Sequence, residues 1–511
     1  VDAKGSAVKG QMSRALARIR AAALLLGIVV ISSAHVGSPN VVFDGSAGPY
    51  PVRVVVRPPE VVPGLAEVIV RVNAPDASRV DIKPVFWKAG VAGAPAGDDM
   101  KPVARQRGVY DGQLWLMAYG AYSVYVTVTG ARGTGVAIVP VNSFATGRLP
   151  LGRGLEAILA VLAALLVAGL LTIIHAASGE SLVPPGETFD APRRRRANVV
   201  TAVAAPLLAL LIFGGARWWG AEDARYQRNM YASPSAVPTI TSNDSHRTLR
   251  LVVRDTAPFR AIFAPVIPDH GKTMHLFLIS LPDMRNFAHL HPSQLPAPHL
   301  QEFTGEISGV PAGHYRLFGD ITLDNGLSLT VTNTVDVPES RGPPMPSDPD
   351  DSWTESTDPV PILGLGAMVP VGGGYTIGWS GATPIEAGKT VDLRFMVRNA
   401  QGETVQVQPY LGMAAHAAVV RSDASVFIHL HPMGTVATVA QQAFSARDRG
   451  DTTARGRIRP GALEPPPMPM MSMSGALDFP YEFPKSGRYR IWVQVNPVSQ
   501  VLTAAFDVDV R

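Results

Sequence analysis

There is no cysteine among the 511 residues. That absence excludes disulfides, thiolate catalysis and thiolate metal sites together, and leaves His, Met, carboxylate and backbone oxygen as the metal donors on offer. Charge is sparse as well, at 17% of residues against 46% hydrophobic. The formal net charge of +4 says little about partners, and no folded basic domain surrounds the single arginine run, so no nucleic-acid partner is expected. Also missing are Gly-x-Ser-x-Gly, His-Glu-x-x-His, a phosphate loop and a dinucleotide fingerprint. A metal-dependent oxidase or hydrolase would need more acidic or aromatic residues beside its histidines, so an enzyme is not expected.

Three segments are nearly free of charge, and they set the class. Ala21 to Ala34 follows Arg14, Arg18 and Arg20 and ends in small residues, the layout of a secretory signal, with Met12 as a natural start. Leu155 to Ala177 is long enough to cross a bilayer as a helix. Ala197 to Gly214 contains Pro206 and is followed by Trp218 and Trp219, which suit a membrane interface. Between the last two lies a loop with Arg193, Arg194, Arg195 and Arg196, which the positive-inside rule places in the cytoplasm. The expected location is a bacterial inner membrane, with the lipid bilayer as one partner and the large domains on the periplasmic side. Neither helix carries a charged residue or His near its centre, so no transport path is expected.

The remainder alternates β-branched runs, such as Val52 to Val56 and Val68 to Val72, with Gly/Pro turns. The expected fold is mainly β: three Ig-like antiparallel β-sandwich domains, two transmembrane helices and an N-terminal signal segment. The boundaries are 1–37 for the signal segment, 38–150 for the first external sandwich and 154–220 for the helical hairpin. They continue with 242–338 for the second sandwich, 339–359 for a linker rich in Pro, Ser and Asp, and 360–511 for the third sandwich. Gly120-Ala121-Tyr122, Gly313-His314-Tyr315 and Gly487-Arg488-Tyr489 each open a late strand of one domain. Such a Tyr suits a sandwich corner, its hydroxyl bonding back to the backbone.

A sharper repeat joins the second and third domains. Asp283 is followed by Phe287, His289, Leu290, His291 and Pro292, and Asp423 by Phe427, His429, Leu430, His431 and Pro432, at identical spacing. Each copy has an upstream histidine, His275 or His416, so six of the twelve histidines fall in two matched triplets. Residues two apart on a strand share a face. A hairpin folded about Asp283 therefore brings His275 beside His289 and His291, and one folded about Asp423 brings His416 beside His429 and His431. Three neutral imidazoles suit copper or zinc, and the lack of thiolates together with abundant Met places copper first.

The cluster Met468, Met470, Met471 and Met473 reads as a soft-ligand arm for Cu(I), against a surface loop with no function. Met274 and Met413 read as core, Met433 has ligand parity but follows a proline, and His270, His299 and His314 read as surface or accessory residues. The competing reading of the triplets is a structural clasp, with the histidines bonded to backbone and to Asp283 or Asp423.

The stretch Pro409-Tyr410-Leu411-Gly412-Met413-Ala414-Ala415-His416 through His429-Leu430-His431-Pro432, with Phe483-Pro484 and Gly487 to Gln494 later, resembles a group of exported bacterial proteins. That group is similar to YtkA-like and CopC-like β-sandwich modules, and the resemblance implies heavy-metal or copper handling. It covers mainly the last two domains. The first domain, with no His between Ser38 and Ser143, departs from any three-site scheme.

Two functions follow as expectations. One is a membrane-anchored extracytoplasmic metal-binding protein that buffers, senses or delivers copper, with a metal-handling protein as partner. The other is an envelope interaction scaffold whose histidines are structural.

Overall fold

The structure, a computed structural model, describes residues 39–511 apart from 181–182, 185, 189, 244–245, 255–264, 298–300, 341–347, 356–359, 362–365 and 464–472. The expected signal segment, His299, Met468, Met470 and Met471 lie outside the described residues.

The described chain is mainly β, in antiparallel sheets, with two long apolar helices. In the first β region, strands Val41–Ala47, Tyr50–Arg57, Gly64–Val72 and Val109–Leu116 lie side by side. They pack on a second sheet built on Ala77–Phe86, Gly120–Gly130 and Gly133–Ser143. Alternation decides which face is buried: in Gly64–Val72 the odd partners Ala66, Val68 and Val70 are fully buried while Leu65, Glu67 and Arg71 face out. Val54 and Val68 of one sheet share a core with Val124 and Val139 of the other.

The second and third β regions repeat one strand order. In the second, Asn286–Leu290, His275–Ser280, Gly313–Leu323 and Ser328–Val337 run side by side. In the third, Phe427–Leu430, Ala415–Arg421, Gly487–Val495 and Leu502–Val510 do the same. The three corner tyrosines are equivalent. The Tyr315 hydroxyl donates to Pro311 O at 2.7 Å, that of Tyr489 donates to Lys485 O at 2.7 Å, and that of Tyr122 accepts from Ala118 N at 3.1 Å, each four residues back. Gly120, Gly313 and Gly487 all take positive φ, at 126°, 155° and 135°, a region that Cβ-bearing residues avoid.

Both faces of His275–Ser280 and Ala415–Arg421 are apolar because each strand is covered twice. Leu276 and Leu278 point into their own region's core, as do Ala417 and Val419. The opposite faces, which carry the histidines, pack against each other across the two regions. Phe277, Phe287 and Phe318 of one meet Ala418, Phe427 and Trp492 of the other. The contacts are related by a pseudo-two-fold: Phe287 stacks on Trp492 at 4.9 Å, and its counterpart Phe427 stacks on Phe318 at 4.3 Å. This is the isologous geometry of a symmetric dimer, formed here within one chain.

The stretch expected as a linker contributes to the fold. Ser352–Glu355 adds as an antiparallel strand beside Asn286–His289, because its unpaired backbone groups meet an open sheet edge there. The first β region is stitched to the third: Asp44 N donates to Met433 O at 2.9 Å, Thr435 N to Val42 O at 2.9 Å, and Arg57 pairs with buried Glu482 at 2.8 Å. Helix Thr438–Asp448, in the third region's stretch of chain, touches the other two regions, the first through Tyr125 to Asp448 and Gln441 to Ile138 O, and the second through Val439 N to Asp269 Oδ1.

Helices Arg153–Glu180 and Ala191–Arg228 are both long and apolar enough to cross a membrane, and their apolar windows are not buried by the rest of the protein. The arginines expected in a loop instead occupy the first turns of the second helix. Asp190 caps it by accepting from Arg193 N at 3.1 Å, an N-cap that lets the helix begin before the charge run. At the other end of the pair, Arg148 meets Asp223 at 2.8 Å, the Tyr226 hydroxyl donates to Gly147 O, and Phe144 stacks on Tyr231 at 4.4 Å. The β regions therefore gather at the end of the hairpin opposite the arginines.

Candidate metal centre

Strand register places the histidines. Phe277 lies opposite His289 and Ala418 opposite His429, so each upstream histidine shares a face with its His-x-His pair. The turns follow the repeat too: Asp283 Oδ1 accepts from Arg285 N and Ser280 Oγ, and Asp423 Oδ1 from Ser425 N and Ser425 Oγ. Met284 and Ala424, next in sequence, both adopt positive φ. The two aspartates thus fix the hairpin turns. No hydrogen bond joins either one to a histidine among the described residues, which removes the partners that a clasp about Asp283 and Asp423 requires.

Because the histidine faces pack together, the two triplets meet. His275 lies 5.1 Å from His429, ring centre to ring centre, and His289 lies 5.5 Å from His429 and 6.4 Å from His416. The pseudo-two-fold governs their supports as well. Gln494, opposite His416 on the third region's central strand, reaches across to His289 Nδ1 at 2.8 Å. Asp320, opposite His275, reaches across to His429 Nδ1 at 3.8 Å.

His275, His289 and His291 come together within the second region as expected, but the third region's triplet does not stand apart from it: the two meet in one continuous cluster at the interface. Strand periodicity cannot foresee this, because it sets the face of a residue and not what that face packs against. Within the cluster, His275, His289 and His291 each offer a nitrogen within 4.8 Å of the others. His416 and His431 do so with His270 as their third member, while His429 stands between the two groups. His270, read from sequence as surface or accessory, is thereby drawn into the site. His314 is exposed and pairs with Asp336.

All six triplet histidines are between 0 and 7 % exposed. Burial, reinforced by neighbouring imidazoles, holds His275, His289, His416 and His429 well below the ordinary imidazole value, and burial takes His431 down to about 4. These five rings are therefore neutral at physiological pH and keep a lone pair for a cation.

Hydrogen bonds fix which nitrogen carries it. His431 Nδ1 donates to Val436 O and His291 Nδ1 to Asp351 Oδ1 at 2.9 Å, which leaves each Nε2 free to coordinate. His289 Nδ1 donates to Gln494 Oε1, whose amide nitrogen is taken by Ser352 and Thr503, and to the Tyr410 hydroxyl, which itself donates to Asp350 O. His275 Nε2 donates to Asp269 O at 3.3 Å. His275 Nδ1 and His289 Nε2 then face each other at 3.2 Å with a lone pair each and no proton between them. Two nitrogens bound to one tetrahedral ion at 2.0–2.1 Å would stand about 3.3 Å apart. The pair has the spacing of co-ligands.

Asp348 and Asp351 also approach His291, but Asp348 and Asp350 are held by Lys272 at 2.6 and 2.8 Å. That group is a support rather than a third centre. Tyr410 and Gln494 entered the sequence reading only inside the stretches that carry the resemblance, with no site role, and Asp320 and Asp351 were not named there, although Asp351 lies in the Asp-rich stretch. Met274 is core, as expected. Met433 packs toward the first region's core and Met473 toward the third's, so neither joins the cluster.

A cavity of about 470 Å³ opens between the three β regions. His275, His429, His431, Asp269, Asp320 and Lys272 border it. Burial raises the Asp320 carboxyl to about 7.

Residues 369–511 match the model of Domain of unknown function (DUF8832). No curated protein matches the sequence. Among solved structures, a tetra-tandem repeat from the extending region of a large adhesion protein is 8% identical, covering 88% of this chain and 71% of that one at a TM-score of 0.15. Escherichia coli alpha-2-macroglobulin activated by porcine elastase is 10% identical, with 90% and 31% covered and a TM-score of 0.17. An ICAM-5 ectodomain fragment is 8% identical, with 88% and 73% covered and a TM-score of 0.14. At such TM-scores these likenesses carry no weight for fold or function.

Proposed function

We propose that the protein is a membrane-anchored metal-binding protein that holds copper outside the cytoplasm at the histidine cluster, for buffering, sensing or delivery. One observation carries this reading. His270 Nε2, His291 Nε2, both ring nitrogens of His416, His429 Nε2 and His431 Nε2 are buried without a protein hydrogen-bond partner. Buried polar atoms are nearly always satisfied, and a group left unpaired costs about 1–3 kcal/mol. These six nitrogens belong to five rings, and one unspent lone pair on each neutral ring fits a cation far better than a clasp. An all-imidazole set suits Cu(II) and also accommodates zinc.

Copper and zinc content of the purified full chain, after equilibration with each ion and gel filtration, tests the reading. Copper retained in stoichiometric amount, and lost in a His289→Ala/His291→Ala/His416→Ala/His431→Ala variant, is expected. A chain that keeps no metal, and whose variant is merely less stable, gives way to the second reading, an envelope scaffold. That alternative is favoured by the aromatic interface and by the His289–Gln494 and His291–Asp351 bonds.

The membrane part of the proposal rests on the two uncovered apolar helices, with Leu165, Leu166, Leu210 and Leu211 all exposed. Arg193 to Arg196 lie at the cytoplasmic end. Reporter fusions at Gly130 and Gly402 should both register export. Opposite locations would overturn the orientation.

A further inference from the structure

The cluster holds more imidazoles than one ion can take. His275, His289 and His291 converge at one end, and His270, His416 and His431 at the other. His429 lies between, 5.1 Å from His275, 5.5 Å from His289, 5.2 Å from His416 and 4.6 Å from His431. The geometry points to a two-ion centre, in which His270 is the third ligand of the second ion and His429 stands between the two. This rests on the metal-binding reading and goes beyond it in number, ligand identity and coupling.

Three observations support the assignment independently of the sequence repeat. First, His270 does not belong to either His-x-His hairpin, yet its ring lies 5.9 Å from His416 and 5.4 Å from His431, and its buried Nε2 makes no hydrogen bond, with Asp269 Oδ1 3.6 Å away. Its position is built: Asp269 Oδ1 accepts from Val439 N at the start of helix Thr438–Asp448, and a tight Asp269–Lys272 turn holds His270 at a positive φ of 51°. A strained backbone at an imidazole whose Nε2 makes no hydrogen bond is the pattern of a functional position.

Second, neither triplet is satisfied by the other. His291 Nε2 in one group, and His431 Nε2 and both ring nitrogens of His416 in the other, make no protein hydrogen bond, and each neutral ring keeps one lone pair for a cation. Third, His275, His429 and His431, drawn from both groups, border the same cavity. Both ions would have an open side toward one space, and Asp320, 3.8 Å from His429 Nδ1, is a carboxylate at that opening, as is Asp269.

The test is a Cu(II) titration of the full-length protein, read by metal content and by electron paramagnetic resonance. Two ions per chain are expected. At half loading the spectrum should show an isolated ion, and at full loading a spin-coupled pair, with the isolated signal lost or broadened and a half-field transition present. His270→Ala should lower the content from two ions to one and leave an uncoupled signal at saturation. His314→Ala, on the exposed face, should behave as the parent.

One ion in both the parent and His270→Ala, or two ions with no coupling, overturns the pair. Should His270→Ala fail to fold, the spectrum of the saturated parent decides alone. Absence of all bound copper defeats the metal reading itself, an outcome distinct from a single ion.

Discussion

Lowering the pH of the metal-free protein from about 7 to about 4 should open the interface between the second and third β regions, with the thermal midpoint falling steeply once pH drops below about 6.5. The folded values of His275, His289, His416, His429 and His431 are all depressed by burial. The unfolded chain takes up these protons near pH 6.5, whereas the folded chain resists them until lower pH. The unfolded state then binds more protons, and stability falls as pH falls.

For His431, with a folded value of about 4, the full shift amounts to roughly 3 kcal/mol lost by the time pH passes below that value. The other four histidines push the same way. Bound metal competes with protons for the same lone pairs, so the loaded protein should hold its midpoint to lower pH and then release metal as it loses stability. Scanning calorimetry across this range, with and without copper, checks both statements. A metal-free midpoint that stays flat between about pH 7 and about pH 5 would refute the burial of neutral imidazoles.

Trp492→Ala should be the most damaging single truncation at the interface. The indole is fully buried, stacks on Phe287 at 4.9 Å, and packs with Phe277, Phe427 and Ala505. Its removal forfeits apolar burial and leaves a cavity between two sheets that cannot collapse toward each other, a loss of about 3–5 kcal/mol. Each region keeps its own core, of which Leu276 and Leu278 belong to one and Ala417 and Val419 to the other. The variant should therefore show separated melting transitions for the two regions rather than global unfolding.

Gln494 sits two residues further along the same strand face and holds His289 across the interface, so copper affinity should fall together with stability. The pseudo-two-fold partner variant Phe318→Ala should behave alike, because Phe318 stacks on Phe427 in the equivalent position. A change below about 1 kcal/mol in both variants, with a single unaltered transition, would mean that the histidine faces are not joined by this packing.

Local patterns set much of this molecule. The alternation of Gly64–Val72, the two matched Asp-to-His-x-His repeats and the three Gly-x-Tyr corners each encode a backbone geometry within a few residues. The structure returns these as strands, hairpins and back-bonded tyrosines at equivalent places. The apolar runs around Leu165 and Leu210 likewise fix two long helices, since about twenty uncharged residues leave little else for the backbone to do.

What the sequence could not decide is what those faces meet. Strand parity puts His289 and His291 on one side, but only the packing of two duplicated sheets about a pseudo-two-fold sets His275 beside His429 and Gln494 against His289. His270 carries no periodic signal, because it sits in a turn positioned by a helix some 170 residues later. Asp351 looked like linker chemistry until Ser352–Glu355 completed a sheet edge and brought it to His291. Periodicity is a property of neighbours along the chain, whereas a site shared between domains is a property of the surfaces they bury, and that is settled only when the domains dock.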